Sequence, residues 1–336
     1  MSNGYVGRLP AHDPLYHYLR HDILPQLGVL GGPVEFRVFR LRGSKEVYRY
    51  EERHTGASLV GKFFGAADAR ENGRGRHRME QEFENLQLLR GYGFEGYPHH
   101  VARPWGTNAW LNRVLVEEYC PGASLSSVIA AAIHQGHRGR LFRKLTALAA
   151  LLAALHNRTA NNFTVDFNQD CAYLDRLVQK LRRQQVIGDW DADELYWLGD
   201  RWREQPYMWE DRQVLVHGDA TPSNFLFGHG LDVIAIDLER MKRADRVFDL
   251  GRIVGELQHY YLQTIGDKYA AEPFIGHFLW EYSGHFPDQE RAFRAITRRL
   301  PFQMSLTLLR IARNFWIPFA HRRRLVEEAK LVLRAF

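Results

Sequence analysis

The sequence predicts a two-lobed α+β fold, with a small antiparallel β-sheet lobe containing one main helix and a larger, mostly helical second lobe. Three observations carry this prediction. At 336 residues the chain is longer than one hydrophobic core usually supports. Residues 34–64 alternate between apolar and polar positions in three separate runs, and from Ser124 onward apolar residues recur at three- and four-residue steps. Residues 1–118 are expected to form the first lobe, with 1–33 as an N-terminal extension, and residues 119–336 the second.

Val34–Phe39, Val47–Tyr50 and Ser58–Phe64 read as a three-stranded antiparallel meander, with a tight turn at Arg42-Gly43-Ser44-Lys45. Met79, Phe83, Leu86 and Leu89 then have helical spacing, with Glu82 beside that face. Val114-Leu115-Val116 forms a further strand that runs into Glu117-Glu118-Tyr119-Cys120, and Pro121-Gly122 ends it. Leu145, Leu148, Leu152 and Leu155 mark a core helix in an Ala-rich background. Residues 172–210 read as helices with turns at Gly188 and Gly199, and residues 247–336 return to helix.

A hydrophobic fraction of 45% and a charged fraction of 25% indicate a globular chain rather than a disordered or fibrous one. Cys120 and Cys171 lie far apart without metal-ligand spacing, which offers neither a disulfide framework nor a zinc site and fits a reducing cytoplasm. No targeting pattern opens the chain, and its most apolar stretch, Leu145–Leu155, is too short to span a bilayer. The net charge of +6 is compatible with many anionic partners. Its two basic clusters, Arg70 to Arg78 and Arg322-Arg323-Arg324, read as a solvated loop and a solvated helix face. Without interleaved aromatics or a known module, no nucleic-acid partner is expected.

The most informative stretch is His217-Gly218-Asp219-Ala220-Thr221-Pro222-Ser223-Asn224, followed by the strand-like Val233-Ile234-Ala235-Ile236 and then Asp237-Leu238-Glu239. Phosphoryl transfer to a hydroxyl needs a carboxylate that orients the acceptor and accepts its proton, and cations that absorb charge on the phosphate oxygens. Asp219 suits the first task. The amide oxygen of Asn224 and the carboxylate of Asp237 are hard oxygen ligands of the kind Mg²⁺ favours.

These strings, with Phe248-Asp249-Leu250-Gly251, resemble the protein-kinase-like superfamily and within it the aminoglycoside and choline kinase type of phosphotransferase. The resemblance runs from about residue 34 to residue 310 and implies a protein-kinase-like fold using ATP and Mg²⁺. It makes Asp219 the catalytic carboxylate and Asn224 and Asp237 the magnesium ligands. Lys62 touches the α- and β-phosphates and is held by Glu82. Glu118 to Cys120 form the hinge that binds adenine, and Gly43 with Ser44 covers the phosphates. His217 braces the catalytic loop and Asp249 steadies it from behind, while Glu239 is a candidate for a further metal or substrate contact.

The chain departs from protein kinases in supplying a single glycine over the phosphates and in lacking an Ala-Pro-Glu element after Asp237, so a small-molecule hydroxyl acceptor is expected rather than a protein. The basic balance lowers the expectation of a polycationic aminoglycoside. A choline-like acceptor requires an aromatic cage, for which Trp280, Tyr282, Phe302, Phe315 and Trp316 are candidates. Ile236-Asp237-Leu238-Glu239-Arg240 also resembles the lipopolysaccharide-core sugar kinases, whose anionic glycolipid acceptors imply peripheral membrane contact without insertion. A nucleotide-binding pseudokinase that regulates a partner is the alternative of another class. The acceptor and the oligomeric state are left open.

Overall fold

The alternating runs of the first third become strands in a computed structural model that describes residues 4–41, 46–65 and 72–336. The turn carrying Gly43 and Ser44, and Arg70 of the basic cluster, lie outside the described residues. The chain divides into two compact units, residues 1–122 with 234–239, and residues 123–233 with 240–336. The division thus falls after Gly122, and the segment that ends at Glu239 returns to the first unit.

The first unit is built on an antiparallel sheet. Its strands are β1 (Gly4–Arg8), β2 (Phe36–Arg40), β3 (Glu46–Glu52), β4 (Ser58–Phe63), β7 (Pro104–Asn108) and β8 (Val114–Glu118), in the order β1-β2-β3-β4-β8-β7. A small hairpin of β5 (Glu95–Gly96) and β6 (His99–Val101) precedes β7. The N-terminal segment is not an appendage to this sheet. β1 pairs with β2, and Leu15 and Tyr16 of α1 (Pro14–Tyr18) are buried with Leu19, Ile23 and Leu24 against Phe36, Leu59, Val114 and Val116. Each such apolar side chain contributes ~1.5–3 kcal/mol on burial.

The helix α2 (Asn72–Gly91) buries Met79, Glu82, Leu86 and Leu89, at steps of three and four residues. Glu82 therefore lies on the buried face itself rather than beside it, and Phe83 takes a half-buried position. A carboxylate on that face needs a cationic partner in the interior.

The second unit is mostly helical. It contains β9 (Ala123–Ser124), α3 (Leu125–His134), α4 (Arg138–Thr159), α5 (Asn168–Arg183) and α6 (Asp189–Arg203), followed by β10 (Val214–Val216) and β11 (Phe225–Phe227). After β12 (Val233–Ala235) and the returning segment come β13 (Lys242–Ala244), α7 (Val247–Ile265), α8 (Glu272–Ser283), α9 (Gln289–Ala312) and α10 (Phe319–Leu333). The leucine stripe of α4 is buried along its length, and a second core gathers Leu174, Leu195, Trp202, Phe302, Leu309 and Leu325 from α5, α6, α9 and α10.

Two expectations are corrected in this unit. Gly199 is not a turn but an interior position of α6, because a Cβ there would lie 2.6 Å from Leu174 Cδ2; the missing side chain allows α5 and α6 to approach. The run Arg322-Arg323-Arg324 is a solvated face only in part. Arg322 is buried and donates to the Ala312 carbonyl and Gln184 Oε1, both at 2.6 Å. Half-buried Arg323 reaches the Val186 carbonyl and Asp191, and exposed Arg324 the Gly266 carbonyl. Arg322 thus acts as an internal brace, with its polar end satisfied by a distant carbonyl and amide oxygen. Among the described residues, no helix is long and apolar enough to cross a membrane.

Candidate active site

The candidate residues fall into two groups, one in each unit. In the first unit, Lys62 on β4 is buried and its ammonium donates to Glu82 Oε1 at 2.7 Å. The same Nζ stands 2.8 Å from Glu117 Oε1 on β8. Burial alone would lower the lysine's proton affinity, but Glu117, Glu82 and Asp237 more than offset it and keep Lys62 charged. One ammonium does not fully compensate these carboxylates. Burial, with the charges of Glu82 and Asp237 adding to it, outweighs the opposing pull of Lys62 and pushes the Glu117 carboxyl up to about 7.

Beyond β12, Asp237 takes a left-handed backbone conformation with φ 64°. For a residue with a side chain this is a strained geometry of the kind that clusters at functional positions. The Asn85 side-chain amide of α2 donates to the Leu238 carbonyl at 2.8 Å and holds the segment beside the helix. Ligand oxygens of Glu82, Asp237 and Glu239 lie within 4.8 Å of one another. Glu239 also pairs with Arg78 at 3.0 Å and is largely buried, so it is not the ordinary exposed glutamate that its position after a strand suggests.

At the expected hinge, the Glu118 N–H donates to the Arg103 carbonyl at 2.8 Å, and the Glu118 carboxylate accepts from the Arg103 N–H. The guanidinium of Arg49 lies 4.3 Å from the centre of the Tyr119 ring, and the buried Cys120, which is in no disulfide among the described residues, directs its thiol to the Glu118 carbonyl at 3.9 Å.

In the second unit, the segment between β10 and β11 holds Asp219 and Asn224. Asp249, at the start of α7, is fully buried and accepts the His217 N–H at 2.6 Å on Oδ2 and the Gly218 N–H at 3.1 Å on Oδ1. It also contacts His156 Nε2 at 3.3 Å, and His156 Nδ1 lies 2.8 Å from the Tyr282 hydroxyl. Burial would raise the Asp249 carboxyl, but the hydrogen bonds from His156 and the His217 backbone hold it below its ordinary value. Burial keeps His156 neutral, which assigns its proton to Nε2, facing Asp249, and leaves Nδ1 to accept from Tyr282.

Gly218 is required where it stands. Its φ is +78°, and a Cβ there would lie 1.9 Å from the Arg240 carbonyl oxygen. The other end of the loop is tied by the Asn224 amide, which donates to the Asp219 carbonyl at 2.9 Å. With its NH₂ group so engaged, Asn224 keeps Oδ1, which accepts from the Ser223 hydroxyl at 3.2 Å, as the atom suited to a hard cation. Oδ1 of Asp219 is buried and has no hydrogen-bond partner among the described residues. An orphaned carboxylate oxygen on a loop pinned at both ends fits a group that meets a donor or a cation on binding.

His156 and Glu117 are the participants that sequence reasoning missed, although both carry a signal. His156 falls four residues after Leu152 and so continues the buried stripe of α4. In the register of β4 with β8, Lys62 faces Leu115, and Glu117 two positions on shares that side of the sheet. Of the candidate aromatics for a cage, Tyr282 and Phe302 are fully buried within the core, whereas Phe315 and Trp316 are exposed and meet edge to face.

A family model described as APH, phosphotransferase enzyme family, matches residues 33–283. Among solved structures, a choline kinase from Cryptosporidium parvum Iowa II superposes with a TM-score of 0.63 at 10% identity, covering 95% of this chain and 94% of that one. An ethanolamine kinase from Plasmodium vivax gives 0.61 at 15%, covering 90% and 83%. The streptomycin–ATP ternary complex of APH(2″)-IIa gives 0.55 at 12%, covering 96% of each chain. At these identities the likenesses establish the fold, which is protein-kinase-like with an antiparallel sheet region followed by a helical region. No curated protein matches the chain in sequence.

Proposed function

We propose, from the premise that this chain belongs to the APH phosphotransferase enzyme family, that it moves the γ-phosphoryl group of ATP to a hydroxyl of a small molecule with the help of Mg²⁺. Family membership makes it a kinase, a phosphotransferase with an alcohol group as acceptor. The observation that carries the finer reading is the Asp219 carboxylate, whose Oδ1 is buried without a partner among the described residues, on a loop fixed by Asp249 and Asn224. A carboxylate in that state can orient an acceptor hydroxyl and take its proton.

In this reading Lys62 binds the α- and β-phosphates, positioned by Glu82, and backbone groups of Glu118 to Cys120 bind adenine. Gly43 and Ser44 cover the phosphates. Asn224 Oδ1 and the Asp237 carboxylate hold Mg²⁺, and Glu239 stands close enough to Asp237 to assist. When bound, the ion supplies charge neutralisation at the phosphate oxygens. His217 and Asp249 position the loop and touch neither substrate.

The acceptor classes named for the structural neighbours, choline, ethanolamine and streptomycin, define the first panel to test. Lipid-linked sugars belong in it as well, because the sugar-kinase alternative would escape a soluble panel. Two buried thiols in no disulfide among the described residues, and the need for ATP, are consistent with a cytoplasmic setting. Acceptor-dependent ADP release is the test. Asp219→Ala should lower turnover by ~10²–10⁴-fold, and full activity in that variant would overturn the assignment. Silence of the wild type across the panel and a metabolite extract would instead favour a regulatory pseudokinase.

A further inference from the structure

We propose that the helical unit carries an oxyanion-binding site, for a phosphate or carboxylate group, in a cavity of about 440 Å³ beside the catalytic loop. Gly218, the residue before Asp219, forms part of its wall, and Arg176, Arg240, Lys242 and Arg252 bring four cationic side chains to it. No carboxylate is among the lining residues.

Arg252 on α7 is the anchor. It is 5% exposed, and its Nη1 has no hydrogen-bond partner among the described residues. A guanidinium N–H removed from water without an acceptor is costly, and an oxyanion is the group that guanidinium forks match best. Lys242 and Arg252 also share one aromatic neighbour: Nζ of Lys242 lies 4.1 Å and Cζ of Arg252 5.6 Å from the centre of the Phe248 ring. Two like charges drawn to one ring, with Arg176 at the same cavity, concentrate positive charge that an anion would offset.

The nearby acids are shared with other partners. Glu256, one turn after Arg252, acts electrostatically on Arg252 and also forms an ion pair with Arg310. Asp170, which acts electrostatically on Lys242, is held by a hydrogen bond from Gln303 at 2.7 Å. The volume falls within the ~300–1,000 Å³ range of small-molecule sites and exceeds what a bare phosphate needs. Tyr173, with the Arg176 guanidinium 5.6 Å from its ring centre, supplies a face for the remainder of a larger ligand. The oxyanion is thus either free or the charged group of a small organic molecule, and the site does not depend on which residue performs phosphoryl transfer.

Isothermal titration calorimetry of the full chain with inorganic phosphate, at constant ionic strength, tests the site without requiring turnover. Saturable binding is expected, and Arg176→Gln and Lys242→Gln should each weaken it by about tenfold or more. Arg176 is exposed and Lys242 half-buried, so the test survives if Arg252→Gln fails to fold. Lys62→Met should leave phosphate affinity unchanged. The inference is overturned if no saturable phosphate binding is found, or if binding disappears in Lys62→Met and persists in Arg176→Gln and Lys242→Gln. Glucose 6-phosphate binding about tenfold tighter than phosphate assigns the oxyanion to an organic ligand, and equal affinity assigns it to a free anion; either result upholds the site. Loss of kinase activity across every acceptor leaves this readout untouched, so the two readings fail separately.

Discussion

Glu117→Gln should remove a pH dependence of stability that the wild type carries between about pH 4.5 and pH 7. In the folded protein the Glu117 carboxyl is raised from 4.5 to about 7 by burial, with Glu82 and Asp237 adding to the effect and Lys62 opposing it. Between those two values the folded state holds more protons than the unfolded chain, so stability falls as pH rises. Below the unfolded value both states are protonated and above the folded value both are ionised, and the difference between the two plateaus is ~3 kcal/mol. The glutamine keeps an oxygen that can accept from Lys62 Nζ, now 2.8 Å from Oε1, but it has no proton to exchange. Carboxylates with lowered values, such as Asp249 and Glu52, give the opposite slope at acidic pH. They are common to both proteins and cancel in the comparison. Urea unfolding at pH 5, 6, 7 and 8 measures the free energies. The wild type should lose ~2–3 kcal/mol relative to Glu117→Gln across that range, and a difference that stays constant would refute the reading of Glu117 as a buried, partly protonated acid.

Two further outcomes concern the catalytic loop. Asp249→Asn preserves shape but sets an NH₂ group against one of the two backbone N–H groups now accepted at 2.6 and 3.1 Å. A destabilisation of ~2–4 kcal/mol with a parallel fall in turnover is expected, read by thermal unfolding and ADP release; a variant matching the wild type in both would exclude the bracing role. Gly218→Ala meets a left-handed backbone and a carbonyl oxygen 1.9 Å from its Cβ. The backbone conformation alone costs ~1–2 kcal/mol, so the variant should lose more than that on urea unfolding, and an unaltered midpoint would show that the loop relaxes freely.

What the sequence made legible follows from the range over which each signal acts. The meander β2–β4, the stripe of α4 and the spacing of Asp219, Asn224 and Asp237 are local patterns, readable within a few turns or strands. β1 is legible only through its partner, because five residues with two glycines have little strand character until β2 is present to pair with them. Gly199 was read as a breaker because propensity scales ignore the neighbour; the approach of Leu174 favours glycine and outweighs the helix penalty of ~1 kcal/mol. Glu117 and Glu118 look equivalent along the chain, yet alternation sends one to Lys62 in the interior and the other to Arg103 at the edge.

Charge is where reading along the chain and reading the fold diverge most. A net charge of +6 weighs against cationic acceptors when read along the chain, but several basic side chains are spent inside the second unit. Arg246 and Arg299 close on Asp211, Arg299 also on Asp245, and Lys330 on Asp191 and Glu194. Ion pairs of this kind fix helix positions and leave little field for a ligand to sense. Where cations converge in excess of acids a ligand can be chosen, and at the cavity beside Gly218 the described lining brings Arg176, Arg240, Lys242 and Arg252 together. Preference for an anionic ligand therefore rests on that local convergence rather than on the global balance. An acceptor or effector carrying a phosphate or carboxylate should bind with a steep dependence on ionic strength, whereas a cationic amino alcohol should show none of that dependence at this cavity.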